Sequence, residues 1–86
     1  MDQQLVPAER GLDVSNSGGR EIAFGRARLG VLETVSRLEG AMPREVRCNI
    51  GQSAFRTRSG FLLIFEEGRF VGWSLGAEGR GKGCSQ

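Results

Sequence analysis

The chain reads as an α+β domain: one amphipathic helix packed on a three- to four-stranded antiparallel sheet in the order β-α-β-β-β, with flexible tails at both ends. Three observations predict this. Residues 61–75 are two apolar runs joined by the charged turn Glu67-Gly68, the local signature of a β-hairpin. They hold the only Trp and three of the five Phe, so the core is built around them. Upstream, Ala27, Val31, Val35, Leu38 and Met42 recur at steps of 4, 4, 3 and 4, the spacing of one helical face, before the period drops to two.

Taken in order, residues 1–19 are expected to be a flexible leader. Leu5, Val6, Leu12 and Val14 show no sustained period, although residues 12–14 could pair onto a sheet edge. This leader carries a net charge of −2, which leaves the remainder near +4. The single domain then spans residues 20–75. Ile22 and Phe24 make a short strand that ends at Gly25. The helix follows, widened by Leu32, and is stopped by Gly40 and Pro43, since Gly takes the left-handed cap and Pro cannot continue the ladder. Gly30 sits inside it at a cost of about 1 kcal/mol relative to Ala. Val46, Cys48 and Ile50 alternate with Arg47 and Asn49 as a half-buried strand. Gly51-Gln52 turns the chain, residues 54–58 form another strand, and Ser59-Gly60 turns it again. Residues 76–86 hold little to bury and read as a Gly-rich disordered tail.

A two-residue turn at Glu67-Gly68 pairs Glu66 with Arg69, Phe65 with Phe70, Ile64 with Val71 and Leu62 with Trp73. One face of the ribbon then carries Leu62, Ile64, Val71 and Trp73, and the helix is expected to cover it. The other carries Phe61, Leu63, Phe65 and Phe70. Contiguous apolar surface of that kind marks a contact site unless the leader or the tail folds over it.

Composition excludes more than it proposes. A net charge of +2 favours no polyanionic partner, and the basic residues are eleven Arg and one Lys. The chain has no His and no Tyr, which removes the commonest acid–base catalyst and metal ligand. Two Cys are too few for a disulfide scaffold and a poor metal site. Cys48 is read as a buried structural thiol, with a disulfide to Cys84 as the second role, which would require an oxidising compartment. No apolar run reaches the ~18 residues of a membrane span, and no signal-peptide segment follows Met1, so a cytoplasmic location is the default.

The motifs are weak. Residues 76–82 match G-x-x-x-x-G-K after a strand, but Gly83 replaces the hydroxyl residue that would hold magnesium, and too little chain follows for the phosphate-cradling helix. Adjacent Glu66 and Glu67 point apart at a hairpin tip and form no catalytic pair. Arg44, Arg47, Arg56 and Arg58, with Arg80 in the tail, offer a basic stripe for phosphates; solvated strand faces that discourage edge pairing are the bland reading.

Residues 22–25 (IAFG) and 38–43 (LEGAMP) resemble the opening of small bacterial modules such as the small lipoprotein subunit of the outer-membrane assembly machine and the repeats of the β-lactamase inhibitory protein. Residues 48–51 and 61–73 are similar to uncharacterised bacterial proteins with a C-x-x-G…F-x-D-G-R-F-V-G-W pattern, here with Phe61 and Glu67 at its Leu and Asp positions. Glu39 interrupts the usual Leu-Gly-x-Pro. The resemblance covers residues 20–75 and implies a helix on an antiparallel sheet, a binding role and an envelope or periplasmic location. It carries over no functional residue.

The expected function is therefore that of a small non-catalytic protein-binding or inhibitor-like module, with no cofactor, metal or small-molecule substrate. Its contact face is Phe61, Leu63, Phe65 and Phe70, toward a protein partner or a second copy in a homodimer. The alternative is a weak nucleic-acid binder using Arg44, Arg47, Arg56, Arg58 and Arg80.

Overall fold

A computed structural model of the chain describes residues 3–84. The class is α+β, but there are two antiparallel sheets and not one: β1 (Leu5–Ala8), β2 (Gly11–Val14) and β3 (Glu21–Ala23) form a meander, then α1 (Arg28–Glu39) leads into a five-stranded meander. Its strands are β4 (Arg44–Val46), β5 (Gln52–Arg56), β6 (Leu62–Glu66), β7 (Arg69–Leu75) and β8 (Glu78–Gly81), hydrogen-bonded in that order. The radius of gyration, 11.7 Å, is close to the ~12 Å of a single folded body of this length.

Two expectations are corrected at once. Residues 5–14, read as a flexible leader, are a hairpin that puts Leu5, Leu12 and Val14 into the core. Residues 78–81, read as disordered tail, are the edge strand β8. Four-residue strands are too short to display a period, and β8 has no apolar side chain with which to display one.

The helix keeps the middle of its expected stripe and loses both ends. Val31, Leu32 and Val35 are buried and Leu38 packs beside them, whereas Ala27 is an extended N-cap residue and Met42 lies beyond the helix, exposed. Gly40 caps the C-terminus in the left-handed conformation, its N–H donating to the Ser36 carbonyl, as its position before Pro43 predicts. Open space surrounds Gly30, so no close packing requires it.

The main hairpin turns where expected. Glu67 and Gly68 both have positive φ (50° and 76°), the conformation of a type I′ turn whose twist suits the flanking strands. Glu66 pairs with Arg69 and Phe65 with Phe70, but beyond them the register slips: Ile64 faces Gly72, Leu63 faces Trp73 and Leu62 faces Ser74. Val71 is the extra residue of a β-bulge, and each bulge moves the following side chains to the other face. Trp73 therefore joins Leu63, Phe65 and Phe70 instead of Leu62 and Ile64.

That shared face is the core. Leu63 and Phe70 are fully enclosed, Phe65, Trp73 and Phe61 nearly so. Phe61 meets Trp73, Phe65 meets Phe70 and Phe55, and Phe70 meets Phe24, all at ring separations of 5.1–5.8 Å. Leu5, Leu12, Val14 and Ile22 from the first sheet, with the helix, close over them. The Trp73 indole N–H donates to the Ala8 carbonyl at 3.0 Å and ties the sheets together. Burying each such aromatic is worth about 2–3 kcal/mol, which decides in favour of enclosure over display.

On the opposite face, Ala54 and Ile64 are also inaccessible although they stand outside the main cluster. The chain after β8 crosses here. A Cβ on Gly72 would meet the Lys82 carbonyl oxygen at 1.8 Å, so only Gly admits this backbone approach. Cys84 then forms a disulfide with Cys48, 36 residues earlier and just past β4. The bond joins the two edges of the five-stranded sheet. The free-thiol reading of Cys48 is thus replaced by its alternative, and the strand expected to reach Ile50 ends at Val46, leaving Ile50 fully exposed in a turn.

Candidate binding surface

Phe61, Leu63, Phe65 and Phe70 lie on one face, as the alternation predicts, but within a single subunit they are core. Leu63, Phe65 and Phe70 are closed off from any partner, and Phe61 reaches the surface only as part of a groove lining. What remains exposed is built mostly from other residues.

One region gathers several features around the turn between β5 and β6. Thr57, the buried polar residue among the described residues, closes it: the Phe61 N–H donates to Thr57 Oγ1 at 3.0 Å, the Thr57 N–H to the Phe61 carbonyl, and the Gly60 N–H to the Thr57 carbonyl. Glu39, at the end of α1, clamps the turn from outside. Its carboxylate accepts from the Ser59 N–H and the Ser59 hydroxyl, and its carbonyl accepts from Arg58 Nη1 at 3.2 Å. These bonds tie the turn to the end of α1 and leave Arg58 exposed on it.

On one side of Arg58 lies a groove of about 790 Å³ between β1, the end of α1 and this turn. Leu5, Pro7, Leu38, Phe61 and Leu75 supply apolar lining, with Arg37 and Glu39 among its polar groups. One wall is β1, an edge strand of the first sheet, whose outward backbone groups have no strand partner among the described residues. On the other side lies a concavity of about 490 Å³ lined by Met42, Arg44, Arg56, Arg58 and the turn backbone. Arg44 and Arg56 are direct cross-strand partners.

The structure therefore brings together three of the five arginines expected to form a basic stripe. Arg47 lies past the end of β4, and Arg80 is on β8, at the opposite edge of the sheet, so neither joins them. The residues that sequence reasoning missed are Glu39, Ser59, Leu38 and Leu75.

A second polar site marks the chain that crosses the outer face. Lys82 Nζ lies 2.8 Å from Glu66 Oε1, and Gln52 Nε2 donates to Glu66 Oε2 at 2.7 Å. These hydrogen bonds hold the Glu66 carboxyl below the usual carboxylate range, while Glu66 raises the Lys82 ammonium above its ordinary value. Cys48 Sγ approaches Gln52 Oε1 at 3.3 Å as a contact only, since a disulfide sulfur has no proton to donate.

Among the described residues, no three His, Cys, Asp or Glu side chains are grouped to hold a metal ion. No described helix is long and apolar enough to cross a membrane. Comparison with protein-family models, with curated proteins and with solved structures returned no match.

Proposed function

We propose that this chain is a small, non-catalytic protein-binding module whose contact surface is the groove between β1, the end of α1 and the 57–61 turn. The observation that carries this reading is the coincidence of an open groove, in which Leu5, Leu38, Phe61 and Leu75 stand among polar residues, with a sheet edge along its wall that has no strand partner among the described residues. An extended segment of a partner protein fits both: its backbone pairs along β1 and one apolar side chain enters between Leu38 and Leu75. Pro7 removes one backbone donor from β1, which limits the pairing to a short stretch. A non-catalytic role is supported by the lack of any His and by Glu66 and Lys82 being engaged with each other at the surface. The Cys48–Cys84 disulfide supports action in an oxidising compartment, against the cytoplasmic default.

The test is selection of peptides from a randomised phage-displayed library on the oxidised protein, followed by titration of a recovered peptide. Leu38→Glu and Leu75→Glu should each weaken binding at least tenfold, while Leu29→Gln, exposed at the other end of α1, should not. Equal binding by all three variants would remove the groove from consideration. Light scattering over a concentration series separates a second copy from a foreign segment: a dimer broken by Leu75→Glu would replace the foreign partner.

A further inference from the structure

Three arginines face one small concavity, and among the described residues none of them is ion-paired with a carboxylate. Arg44 and Arg56 oppose each other directly across β4 and β5, and Arg58 enters from the adjoining turn. Like charges placed directly opposite destabilise a sheet. Among the described residues the ion pair present is Lys82 with Glu66, on another part of the sheet. Two acidic residues on the adjoining elements are turned to other partners or another face. Glu39 is engaged by Ser59, and Glu45, though next to Arg44, falls on the other face of β4, opposite Phe55.

Protection of a sheet edge does not account for the arrangement. A charge on β4 would serve that purpose, because β4 is an edge strand. Arg56 is on β5, which is paired on both sides, and Arg58 is not on a strand. Two of the three guanidinium groups are also fixed: Arg56 Nη1 donates to the Gly60 carbonyl at 3.3 Å and Arg58 Nη1 to the Glu39 carbonyl at 3.2 Å. Neutral backbone acceptors orient these groups without cancelling their charge, and each keeps N–H donors free. Fixed forks of this kind suit carboxylates.

Resting on the groove reading above, we infer that the partner segment is acidic: one or two Asp or Glu side chains dock on Arg44, Arg56 and Arg58, next to the apolar residue held in the groove. Arg58 borders both concavities, so one short segment reaches both. Met42, 66% exposed in the arginine-lined concavity, offers an adaptable apolar contact beside the charges. A nucleic acid needs a track of cations along its backbone, and Arg47 and Arg80 do not extend this cluster into one.

The experiment sequences the peptides recovered on the oxidised wild-type protein and titrates one synthetic peptide. Asp or Glu should be enriched within four residues of the apolar anchor. An Asp→Asn or Glu→Gln version of the peptide should bind at least tenfold more weakly, as should the wild-type peptide to Arg56→Gln/Arg58→Gln. Arg44→Gln should also weaken binding yet melt no lower than wild type, because it removes a like-charge opposition. Arg56→Lys, which keeps charge but loses the fork, should fall between. Recovered peptides without acidic enrichment, bound equally by the Arg variants and weakened by Leu75→Glu, would overturn this inference and leave the groove reading standing. A twelve-residue oligo-dT bound more tightly than the peptide, and lost in the same Arg variants, would replace the acidic segment with nucleic acid. Recovery of no peptide would overturn both readings.

Discussion

Residues 5–14 put Leu5, Leu12 and Val14 into the core, whereas β8, at the other end of the chain, puts nothing there. All four residues of β8 are exposed. The N-terminal hairpin is held by apolar burial and by the bond from the Trp73 indole to the Ala8 carbonyl. The C-terminal segment is held by backbone pairing to β7, by Lys82 on Glu66 and by the Cys48–Cys84 disulfide. Each terminus covers one face of the same β6–β7 ribbon. The difference teaches that two segments can finish one fold through unrelated physics, one through solvent exclusion and the other through chain connectivity.

The largest effect is expected from breaking the N-terminal contribution. Leu12 is fully enclosed between the sheets, so Leu12→Ala should cost about 2–5 kcal/mol through lost transfer energy and the cavity left behind. That is a large share of the stability of any small domain. Urea denaturation followed by Trp73 fluorescence measures it, since the indole contacts the hairpin directly. A loss under about 1 kcal/mol would mean that residues 5–14 are no part of the cooperative unit.

Cutting the C-terminal connection should act differently. Cys84→Ser opens a loop closed across 36 residues, and the constraint it removes from the unfolded chain is about 3–4 kcal/mol. The urea midpoint should fall, yet the near-ultraviolet signal of the Phe and Trp cluster should not change in native buffer, because no core contact is lost. Amide exchange should quicken in β8 and stay slow in β2. Loss of the aromatic signal in native buffer would show instead that the disulfide organises the core.

The same contrast governs how much of the fold could be read from the sequence. The helix stop at Gly40, the Glu67-Gly68 turn and the shared face of Phe61, Leu63, Phe65 and Phe70 follow from local pattern, and all three are present. Which face became core did not follow. It depends on the bulge at Val71, next to the point where Lys82 crosses Gly72, and no local window contains both. The first hairpin left only the Leu12 and Val14 alternation, and β8 left nothing, since backbone pairing needs no particular side chain. Of the proposed binding surface, Arg44, Arg56 and Arg58 were legible as charges on neighbouring segments. The groove was not, because Leu5, Leu38 and Leu75 meet only when both sheets and the helix are assembled.

The smallest effect sharpens the comparison at the C-terminal segment alone. Glu66 titrates below the ordinary carboxylate range because Lys82 and Gln52 hydrogen-bond its charged form, so its contribution to stability is present above the unfolded carboxylate pKa and is lost as pH falls through the lower folded value. Lys82 titrates above its ordinary value, so its contribution is complete below the unfolded ammonium pKa and is lost as pH rises through the higher folded value. Stability should therefore be flat across the neutral range and decline at both limits. Lys82 is well exposed, so water screens the pair and the effect is small. Glu66→Gln in the Cys84→Ser background should flatten both limbs of the urea midpoint against pH, because nothing covalent then holds the segment in place. It should also quicken exchange of the Lys82 amide, which donates to the Val71 carbonyl at 2.9 Å, without altering the amides of residues 5–14. Acid and alkaline limbs identical with and without Glu66 would show that the ion pair contributes nothing to seating the chain across Gly72, and that backbone pairing alone holds it there once the disulfide is gone.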